Sequence, residues 1–303
     1  MKYDIVMPGY LFCDLIFRGL TSLPKYGEEL FSETLDISVG GVYNSAVVMK
    51  NLDLKLGLMA YLGNDIFSEF IISKLWQIDI SDDLIRFYPQ PLHSITVVLS
   101  FPNDRSFVTY MEETEKTKLF TRDFIENHSV KHLHLPGLKE AFASEDLIDC
   151  AHDMGMSISL DCQWHPKLMK DPHIWNILKS VDIFLPNEKE ALFLTEKKCV
   201  YEALDLLREK VDAVVIKMGK NGAIGDRGME RVEVAALNID PIDTTGAGDS
   251  FNAGFLFGFI KELSFIECIA YGNICGGHTI GVVGGGAEAI NIELITNELK
   301  KIL

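Results

Sequence analysis

The sequence predicts a three-layer α/β/α fold, with a mainly parallel central sheet and a small β-sheet lid. Short apolar runs recur along its 303 residues, and the segments between them are long enough for a helix. The runs are almost continuously apolar, as strands buried on both faces of a parallel sheet are. Two other segments, at roughly 12–39 and 93–111, combine aromatic and β-branched residues with turn formers, which favours antiparallel strands beside the main sheet.

The expected elements of the main sheet follow one another along the chain. The strands are residues 4–8, 56–62, 131–135, 157–161, 182–185 and 213–218. The segments at 141–154 and 201–210 have the apolar spacing of helices. A hairpin at 223–238 and three apolar helices, at 249–263, 265–279 and 291–302, complete the chain.

A single domain, residues 1–303, is expected, because no long linker, low-complexity tract or internal repeat interrupts the chain. Its lid strands at 12–39 and 93–111 could exclude water from a site, or these segments could be decorated loops. Lid strands with exposed apolar faces often pair between subunits. The sequence therefore also predicts a homodimer formed through the lid.

Composition and charge narrow the classes of partner. With 48% hydrophobic and 24% charged residues, the chain is typical of globular proteins. Its formal charge of −16 argues against nucleic acid or an anionic membrane as the main partner, because both require basic surface. No stretch reaches the roughly 18 apolar residues of a membrane span. The six cysteines are scattered without a C-x-x-C pair, which favours a reduced, cytoplasmic protein.

The strongest chemical signal is the glycine-rich segment 243–254, DTTGAGDSFNAG, at the start of a long helix pattern. Backbone N–H groups at such a helix N-terminus converge on one point, where the helix dipole favours an anion. Asp249 lies in the first turn, where it can act as a base beside that anion cradle. This combination suits phosphorylation of a hydroxyl group. A glycine-rich loop with an aspartate cap is the simpler alternative.

Five motifs in family order make the chain similar to the ribokinase-like, or PfkB, carbohydrate kinases. The segment at 243–254 resembles their C-terminal motif, which is the most specific of the five. The other four are Gly40-Gly41-Val42-Tyr43-Asn44-Ser45-Ala46, Gly63-Asn64-Asp65, Pro186-Asn187-Glu188-Lys189-Glu190 and Lys217-Met218-Gly219-Lys220-Asn221-Gly222. The resemblance covers nearly the whole chain. It implies a ribokinase-like fold and transfer of the ATP γ-phosphoryl group to a hydroxyl, expected to be primary, of a small sugar-like molecule.

The resemblance also assigns the catalytic roles. Asp249 would be the base that deprotonates the acceptor hydroxyl. The backbone amides of Gly246, Ala247 and Gly248 would form the anion hole for the transferred phosphoryl group, stabilising charge as it develops.

The same resemblance assigns substrate-binding positions. Asp14 and Asn44 would bind sugar hydroxyls, because carboxylate and amide groups each satisfy two hydroxyls with directional bonds. Gly40 and Gly41 would let the backbone approach the sugar closely. A surface Asp14 and a helix-capping Asn44 are the alternatives. Arg105, in the second lid segment, could reach the substrate or could be a solvated turn charge.

Nucleotide-binding positions follow from the later motifs. Lys217, Gly219 and Gly222 would lie beside the ATP phosphates and ribose, with Asn187 nearby. Asn273 falls where similar kinases line the adenine pocket, although no sharp local motif marks it.

Two metal sites are implied by the resemblance. Asn187 and Glu190 would help to place Mg²⁺ through water, since magnesium keeps much of its hydration shell. A helix cap with a first-turn carboxylate is the alternative interpretation of this pair. Asp243 and the carbonyl of Thr245 would suit a monovalent cation, so stimulation by K⁺ is an open expectation.

Departures from the family pattern bear on the substrate. Phe12 stands where similar sugar kinases often have Asn, and Val42 and Tyr43 replace a frequent lysine-glycine pair, which puts ribose in doubt. Gln163 and His165 replace an Asn and an Arg that other members carry. The missing Arg argues against a sugar acid, so a neutral sugar is favoured.

Two alternative functions stay open from the sequence. A nucleoside kinase of the same fold could use Phe12, Phe17 and Tyr43 as an aromatic wall for a base, although aromatic residues more often pack in a core. A non-catalytic binding or regulatory protein is less favoured, because a pure binder would not need Asp249.

Overall fold

The computed structural model describes residues 2–101, 105–114, 119–242, 244–281 and 289–302. The chain divides into two compact units. The large unit consists of Met1–Gly9, Asn44–Met59 and Leu119–Leu303, and the small unit of Tyr10–Tyr43 and Ala60–Lys118.

The secondary structure alternates strands with helices over most of the chain. The strands are β1 Lys2–Pro8, β2 Leu11–Arg18, β3 Thr34–Gly41, β4 Leu56–Leu62, β5 Ile85–Phe87, β6 Ser94–Ser100, β7 Arg105–Met111, β8 Ser129–Leu135, β9 Ser157–Leu160, β10 Ile183–Phe184, β11 Ala213–Lys217, β12 Ala223–Arg227 and β13 Glu230–Val234. The helices are α1 Tyr43–Asn51, α2 Ile66–Gln77, α3 Leu138–Phe142, α4 Glu145–Asp153, α5 Pro166–Met169, α6 Ile174–Lys179, α7 Glu188–Thr195, α8 Val200–Arg208, α9 Ala247–Ile260, α10 Phe265–Ile280 and α11 Ile292–Ile302.

The large unit is built on a mainly parallel sheet with the strand order β13-β12-β11-β10-β9-β8-β1-β4. Neighbouring strands from β11 to β4 pair in parallel, whereas β12 and β13 form an antiparallel hairpin. Ile5, Val6 and Met7 in β1 are completely buried, as expected of a strand covered on both faces. Because parallel strands end at the same edge, the residues after β9, β10 and β11 lie close together.

The small unit contains a four-stranded sheet with the order β3-β2-β6-β7. The β2–β3 and β6–β7 pairs are antiparallel, but β2 and β6 pair in parallel. The expectation of antiparallel strands was therefore wrong for the central pair. Two antiparallel hairpins are joined by a long connection, which allows their first strands to run in the same direction. The last residues of β4, 60–62, pair with β5 and are counted with this unit.

The two faces of the small sheet differ in chemistry, because side chains alternate along each strand. One face carries Leu35, Ile37, Val108 and Tyr110, whose side chains are 49–65% exposed, together with Phe17. The opposite face carries Asp14, Thr96 and Phe107. The first face is therefore a broad apolar surface in contact with solvent.

The predicted fold class, a mainly parallel α/β sheet with a smaller separate sheet, is confirmed. One expected helix, at 141–154, is instead two helices, because the chain breaks at Ala143 and Ser144 between α3 and α4. The Ala143 carbonyl accepts a hydrogen bond from Phe120 N at 3.0 Å, which ties this break to a neighbouring loop. In the described ranges, no helix is long and apolar enough to cross a membrane.

Candidate active site

A cavity of about 740 Å³ opens in the large unit where the parallel strands end. Every position that the sequence linked to catalysis or to the nucleotide contributes to its lining. These are Asn187, Lys217, Gly219, Gly222, Gly246, Ala247, Gly248, Asp249 and Asn273, together with Glu190 of the expected Mg²⁺ site. Residues separated by more than eighty positions in sequence therefore meet around one space.

The N-terminus of α9 forms one wall of the cavity. Gly246 caps this helix with a φ of 73°, a left-handed conformation that favours glycine. Its carbonyl accepts a hydrogen bond from Ser250 N at 2.9 Å, closing the first turn. The Ala247 amide makes only a long hydrogen bond, 3.4 Å, to the Thr244 carbonyl. Since the first amides of a helix have no helical carbonyl to bond, those of α9 can bind an anion in the cavity.

Asp249 lies in this first turn, with its side chain partly exposed at the cavity wall. Burial, and to a lesser extent the charge of Asp161, raises the pKa of Asp249 to about 6, against the opposing effects of Lys217 and Asn44. Asn44, in α1, hydrogen-bonds the Asp249 side chain. Asn44, predicted as a substrate residue, therefore lies beside the predicted base.

Asp161, Lys217 and Asn252 form a buried polar cluster behind Asp249. The Lys217 ammonium donates to Asp161 Oδ1 at 2.9 Å and to Asn252 Oδ1 at 3.1 Å. Asn252 Nδ2 donates to Asp161 Oδ2 at 2.6 Å. Asp161 and Asn252 were missed as site residues. The sequence signals for Asp161 are its position directly after β9 and at the start of the segment that carries Gln163 and His165. The signal for Asn252 is its position three residues after Asp249.

Asn187 and Glu190 form a capping box at the start of α7. Glu190 N donates to Asn187 Oδ1 at 2.9 Å, and Asn187 N donates to Glu190 Oε2 at 2.8 Å. Burial and the charge of Asp161 raise the pKa of Glu190. The helix-cap interpretation thus describes this pair. The capping box uses Glu190 Oε2, so Oε1 is the carboxylate oxygen that takes no part in it.

The turn after β11 brings the predicted nucleotide residues together. Gly222 has a φ of 86°, and a Cβ at this position would lie 2.0 Å from the Val234 carbonyl oxygen. Asn273 Nδ2 donates to the carbonyls of Val234 and Ala235 at 2.8 and 3.2 Å. Asn273 therefore lines the cavity, while its amide holds the chain that leaves β13.

The remaining predicted substrate positions belong to the small unit. Asp14 hydrogen-bonds Thr96, and burial raises the pKa of Asp14 to about 6. A Cβ on Gly40 would lie 2.2 Å from Asp14 Oδ2, and one on Gly41 would lie 2.1 Å from the Tyr10 carbonyl oxygen. Arg105 starts β7 opposite Ser100. The close contacts at residues 40 and 41 leave no room for a Cβ atom, so both positions require glycine.

The expected monovalent-cation site is only partly described. Thr245 lies in the turn before α9, whereas Asp243 lies outside the described residues. Within the described part of the chain, no group of three or more His, Cys, Asp or Glu side chains is arranged to hold a metal ion.

Gln163 and His165, which replace the Asn and Arg of other members, have different surroundings. His165 caps α5, where its Nδ1 accepts a hydrogen bond from Leu168 N at 3.3 Å. Gln163 lines the cavity, as does Trp164. The Lys189 ammonium lies 4.1 Å from the centre of the Trp164 ring, a cation–π contact that the sequence did not predict.

Comparisons with known proteins agree on one family. A family model described as pfkB family carbohydrate kinase matches residues 5–291. An ATP-dependent 6-phosphofructokinase of Thermoanaerobacterium thermosaccharolyticum is 26% identical over 329 aligned positions, covering 99% of this chain and 96% of that protein. A 2-dehydro-3-deoxygluconokinase of Bacillus subtilis is 28% identical, covering 78% of each chain.

The comparison with solved structures shows the same fold as a sugar kinase. The structure of Arabidopsis thaliana ribokinase complexed with ribose and ATP is similar with a TM-score of 0.83 and 20% identity, covering 99% of both chains. Since the family match spans almost the entire sequence, the protein belongs to the pfkB family of carbohydrate kinases and is an ATP-dependent carbohydrate kinase.

Proposed function

We propose that this kinase transfers the γ-phosphoryl group of ATP to a primary hydroxyl of a neutral sugar, with Asp249 as the base. The observation that carries the proposal is the placement of Asp249 at the N-terminus of α9, on the wall of the 740 Å³ cavity. A raised pKa of about 6 leaves this carboxylate ionised at neutral pH yet more basic than an ordinary aspartate.

The proposed step is an in-line displacement at phosphorus. Asp249 accepts the proton of the acceptor hydroxyl as its oxygen forms a bond to the γ-phosphorus of ATP. The bond from that phosphorus to the β–γ bridging oxygen breaks, and ADP leaves with the bonding electron pair. The amides of Gly246, Ala247 and Gly248 stabilise the negative charge of the transferred group.

ATP is proposed to occupy the cavity of the large unit. The cavity volume is within the range of roughly 300–1,000 Å³ that small-molecule sites occupy. In this arrangement Lys217, Gly219 and Gly222 lie along the phosphates and ribose, with Asn187 nearby and Asn273 at the adenine end. Lys217 and Lys220 supply positive charge among the residues that line the cavity.

Mg²⁺ fits the donors on this wall. Asn187 and Glu190 present oxygen atoms, which magnesium prefers, and burial raises the pKa of the Glu190 carboxylate, an effect that a bound cation would offset. Bound there through water, Mg²⁺ would neutralise charge on the phosphates. We extend the proposal to a monovalent cation such as K⁺, held by Asp243 and the Thr245 carbonyl, on the support of the sequence motif.

A neutral sugar is favoured over a nucleoside by the small unit. Phe12 and Phe17 lie on opposite faces of β2, because their positions differ by an odd number, so they cannot form one aromatic wall. Tyr43, the third residue of that hypothesis, is only 7% exposed. Asp14, in contrast, lies on a sheet face with Thr96, where both can bond hydroxyl groups.

A sugar acid is disfavoured because its carboxylate would lack the arginine that other members carry. His165, which replaces that arginine, is engaged as the cap of α5. Since the 6-phosphofructokinase relative acts, by its name, on a sugar phosphate, sugar phosphates are the second acceptor class to test.

The first test is ADP release from ATP and Mg²⁺ with a panel of neutral sugars, sugar acids, sugar phosphates and nucleosides. We expect turnover with neutral sugars and a product that carries phosphate on a primary carbon, checked by NMR. Turnover confined to another class would overturn the neutral-sugar assignment. No turnover with any acceptor, despite ATP binding by calorimetry, would contradict the catalytic proposal and favour a regulatory protein.

We also propose that the protein is a cytoplasmic homodimer that pairs through the apolar face of the small sheet. The six cysteines are all free thiols and five are buried, which fits a reducing compartment. Leu35, Ile37, Val108 and Tyr110 give this face a contiguous apolar surface of the kind that marks interfaces. Its edge strands β3 and β7 also expose backbone groups that a second copy can pair.

Ile37→Lys is expected to convert the dimer to a monomer, because it places a charge within the apolar face, on the edge strand β3. Analytical ultracentrifugation should give twice the 33.9 kDa chain mass for the wild type and 33.9 kDa for the variant. Met229→Lys is the matched control, since Met229 is fully exposed on the β12–β13 turn of the large unit. A monomeric wild type, or a dimeric Ile37→Lys, would reject this interface.

A further inference from the structure

The cluster of Asp161, Lys217 and Asn252 is closed, and each member bonds both others. Asp161 also accepts a hydrogen bond at Oδ1 from the Cys162 backbone amide at 2.7 Å. Asp161 is 5% exposed and Asn252 is 1% exposed, while the Lys217 side chain is 12% exposed. The three residues come from the residue directly after β9, from α9 and from β11, so the cluster joins three separate parts of the large unit.

Donors and acceptors in this cluster match in only one way. Lys217 is a pure donor and Asp161 a pure acceptor, whereas Asn252 must accept from Lys217 and donate to Asp161. Rotating the Asn252 amide by 180° would set its NH₂ group against the ammonium and its oxygen against the carboxylate. The observed arrangement therefore fixes both the amide orientation and the position of the lysine nitrogen.

The fixed nitrogen lies next to the anion-binding turn of α9. A Cβ on Gly248 would lie 3.7 Å from Lys217 Nζ. The cluster takes up two of the three protons of the ammonium, which leaves the third for a ligand. A buried ion pair contributes little net stability in comparison with apolar packing, so stability alone is a weak explanation for this one.

We propose that Asp161 and Asn252 are positioning residues that hold the Lys217 ammonium against the γ-phosphate of bound ATP. This inference rests on the proposed kinase function and goes beyond it by assigning two residues that act through Lys217. Without them, a flexible lysine would lose side-chain freedom on meeting the phosphate, and it would be drawn toward other acidic groups.

Those competing groups surround the cluster. Asp249 and Glu190 each interact electrostatically with Lys217, and Glu140 interacts with Asp161 and Asp249. His134 also faces Lys217, and burial lowers its pKa to about 3, so it adds no positive charge at neutral pH. An unrestrained ammonium would therefore have alternative carboxylate partners near the site.

Exchanging the two side chains tests the inference. Asp161→Asn sets two amides beside the ammonium, so one NH₂ group must face another donor. Asn252→Asp instead sets two carboxylates against each other. The double variant Asp161→Asn/Asn252→Asp restores one carboxylate, one amide and every donor–acceptor match in the cluster.

We expect each single variant to lower kcat by about 10–100-fold, the effect of one misplaced charged hydrogen bond, with a smaller change in the KM for ATP. The double variant should recover kcat to within about threefold of the wild type. Calorimetry with β,γ-imido-ATP and with ADP gives a readout that needs no turnover. The singles should lose the preference for the nucleotide that carries a γ-phosphate, and the double variant should regain it.

Asp226→Asn is the matched control, because Asp226 forms a comparably buried ion pair with Arg208 at 2.7 Å, outside the cavity lining. It should lower the midpoint of urea unfolding without changing kcat. Recovery of stability but not of kcat or γ-phosphate preference in the double variant would overturn the positioning role. A wild type that binds both nucleotides but phosphorylates no acceptor would refute the kinase proposal. The preference of the variants for β,γ-imido-ATP over ADP would still decide whether Asp161 and Asn252 position Lys217.

Discussion

Asp249→Asn is expected to lower kcat by about 10²–10⁴-fold, the usual contribution of a general base, while the dissociation constants of ATP and the sugar stay nearly unchanged. The amide has the shape of the carboxylate and can still hydrogen-bond Asn44, but it cannot accept the hydroxyl proton. Steady-state assays of ADP release, with calorimetry for each ligand, separate the loss of turnover from any loss of binding.

The pH dependence of kcat supplies an independent signature. The pKa of Asp249 is raised from its ordinary value to about 6, so the active ionised form is present above that pH and is lost as the pH falls through it. The wild type should therefore show an acid limb near pH 6, and this limb should be missing in the residual activity of Asp249→Asn. Asp14 also has a pKa of about 6, which is why kcat at saturating sugar is the cleaner measurement.

Asp212→Asn controls for the general loss of a carboxylate, because Asp212 is exposed in the loop before β11. It should retain wild-type kcat and the acid limb. An Asp249→Asn variant with wild-type turnover would remove this residue from the reaction and leave the anion-binding turn without its base.

Much of the large unit could be predicted because its strands follow a simple rule. Strands such as β1 and β11 are buried on both faces, so they are continuous apolar runs in the sequence. Gly246 and Asp249 were recognisable because a tight turn into a helix needs glycine locally, and the proposed base follows within a few residues. Local chemistry of this kind is visible along the chain.

The parts that could not be predicted depend on contacts between distant residues. Asp161 and Lys217 are separated by 56 positions, and Lys217 and Asn252 by 35, and no local pattern shows that the three side chains meet. The parallel pairing of β2 with β6 has the same origin, because strand direction depends on the path of the connection.

The predicted role of Asn187 and Glu190 shows a different limit. Their spacing is that of a capping box, which the structure contains, and the same spacing was interpreted as a metal site. A capping box places a carboxylate at a helix N-terminus whatever its function, so the sequence alone cannot separate the two roles. Only the position of both residues on the cavity wall connects them to the proposed ATP site.

Gly40→Ala is expected to raise the KM for the sugar by about 10–100-fold, corresponding to one lost hydrogen bond to a charged group, without changing the affinity for ATP. The new Cβ would lie 2.2 Å from Asp14 Oδ2 and 2.8 Å from its Cγ, closer than atoms can approach. Asp14 has a short side chain that is half-buried and bonded to Thr96, so its carboxylate can yield only by leaving the position from which it would bind hydroxyls.

The backbone at residue 40 makes this substitution specific. Gly40 has no left-handed φ, so alanine is accommodated by the chain and fails only at the contact with Asp14. Gly27→Ala is the control, because it strains the backbone without creating a close contact. Gly27 has a φ of 78°, and nothing lies within 4 Å of a Cβ at this position. It should cost about 1 kcal/mol of unfolding free energy from backbone strain, with no change in the sugar KM. If Gly40→Ala keeps the wild-type KM for the sugar, then Asp14 does not bind the acceptor, and the hydroxyl contacts must come from Asn44 and the large unit.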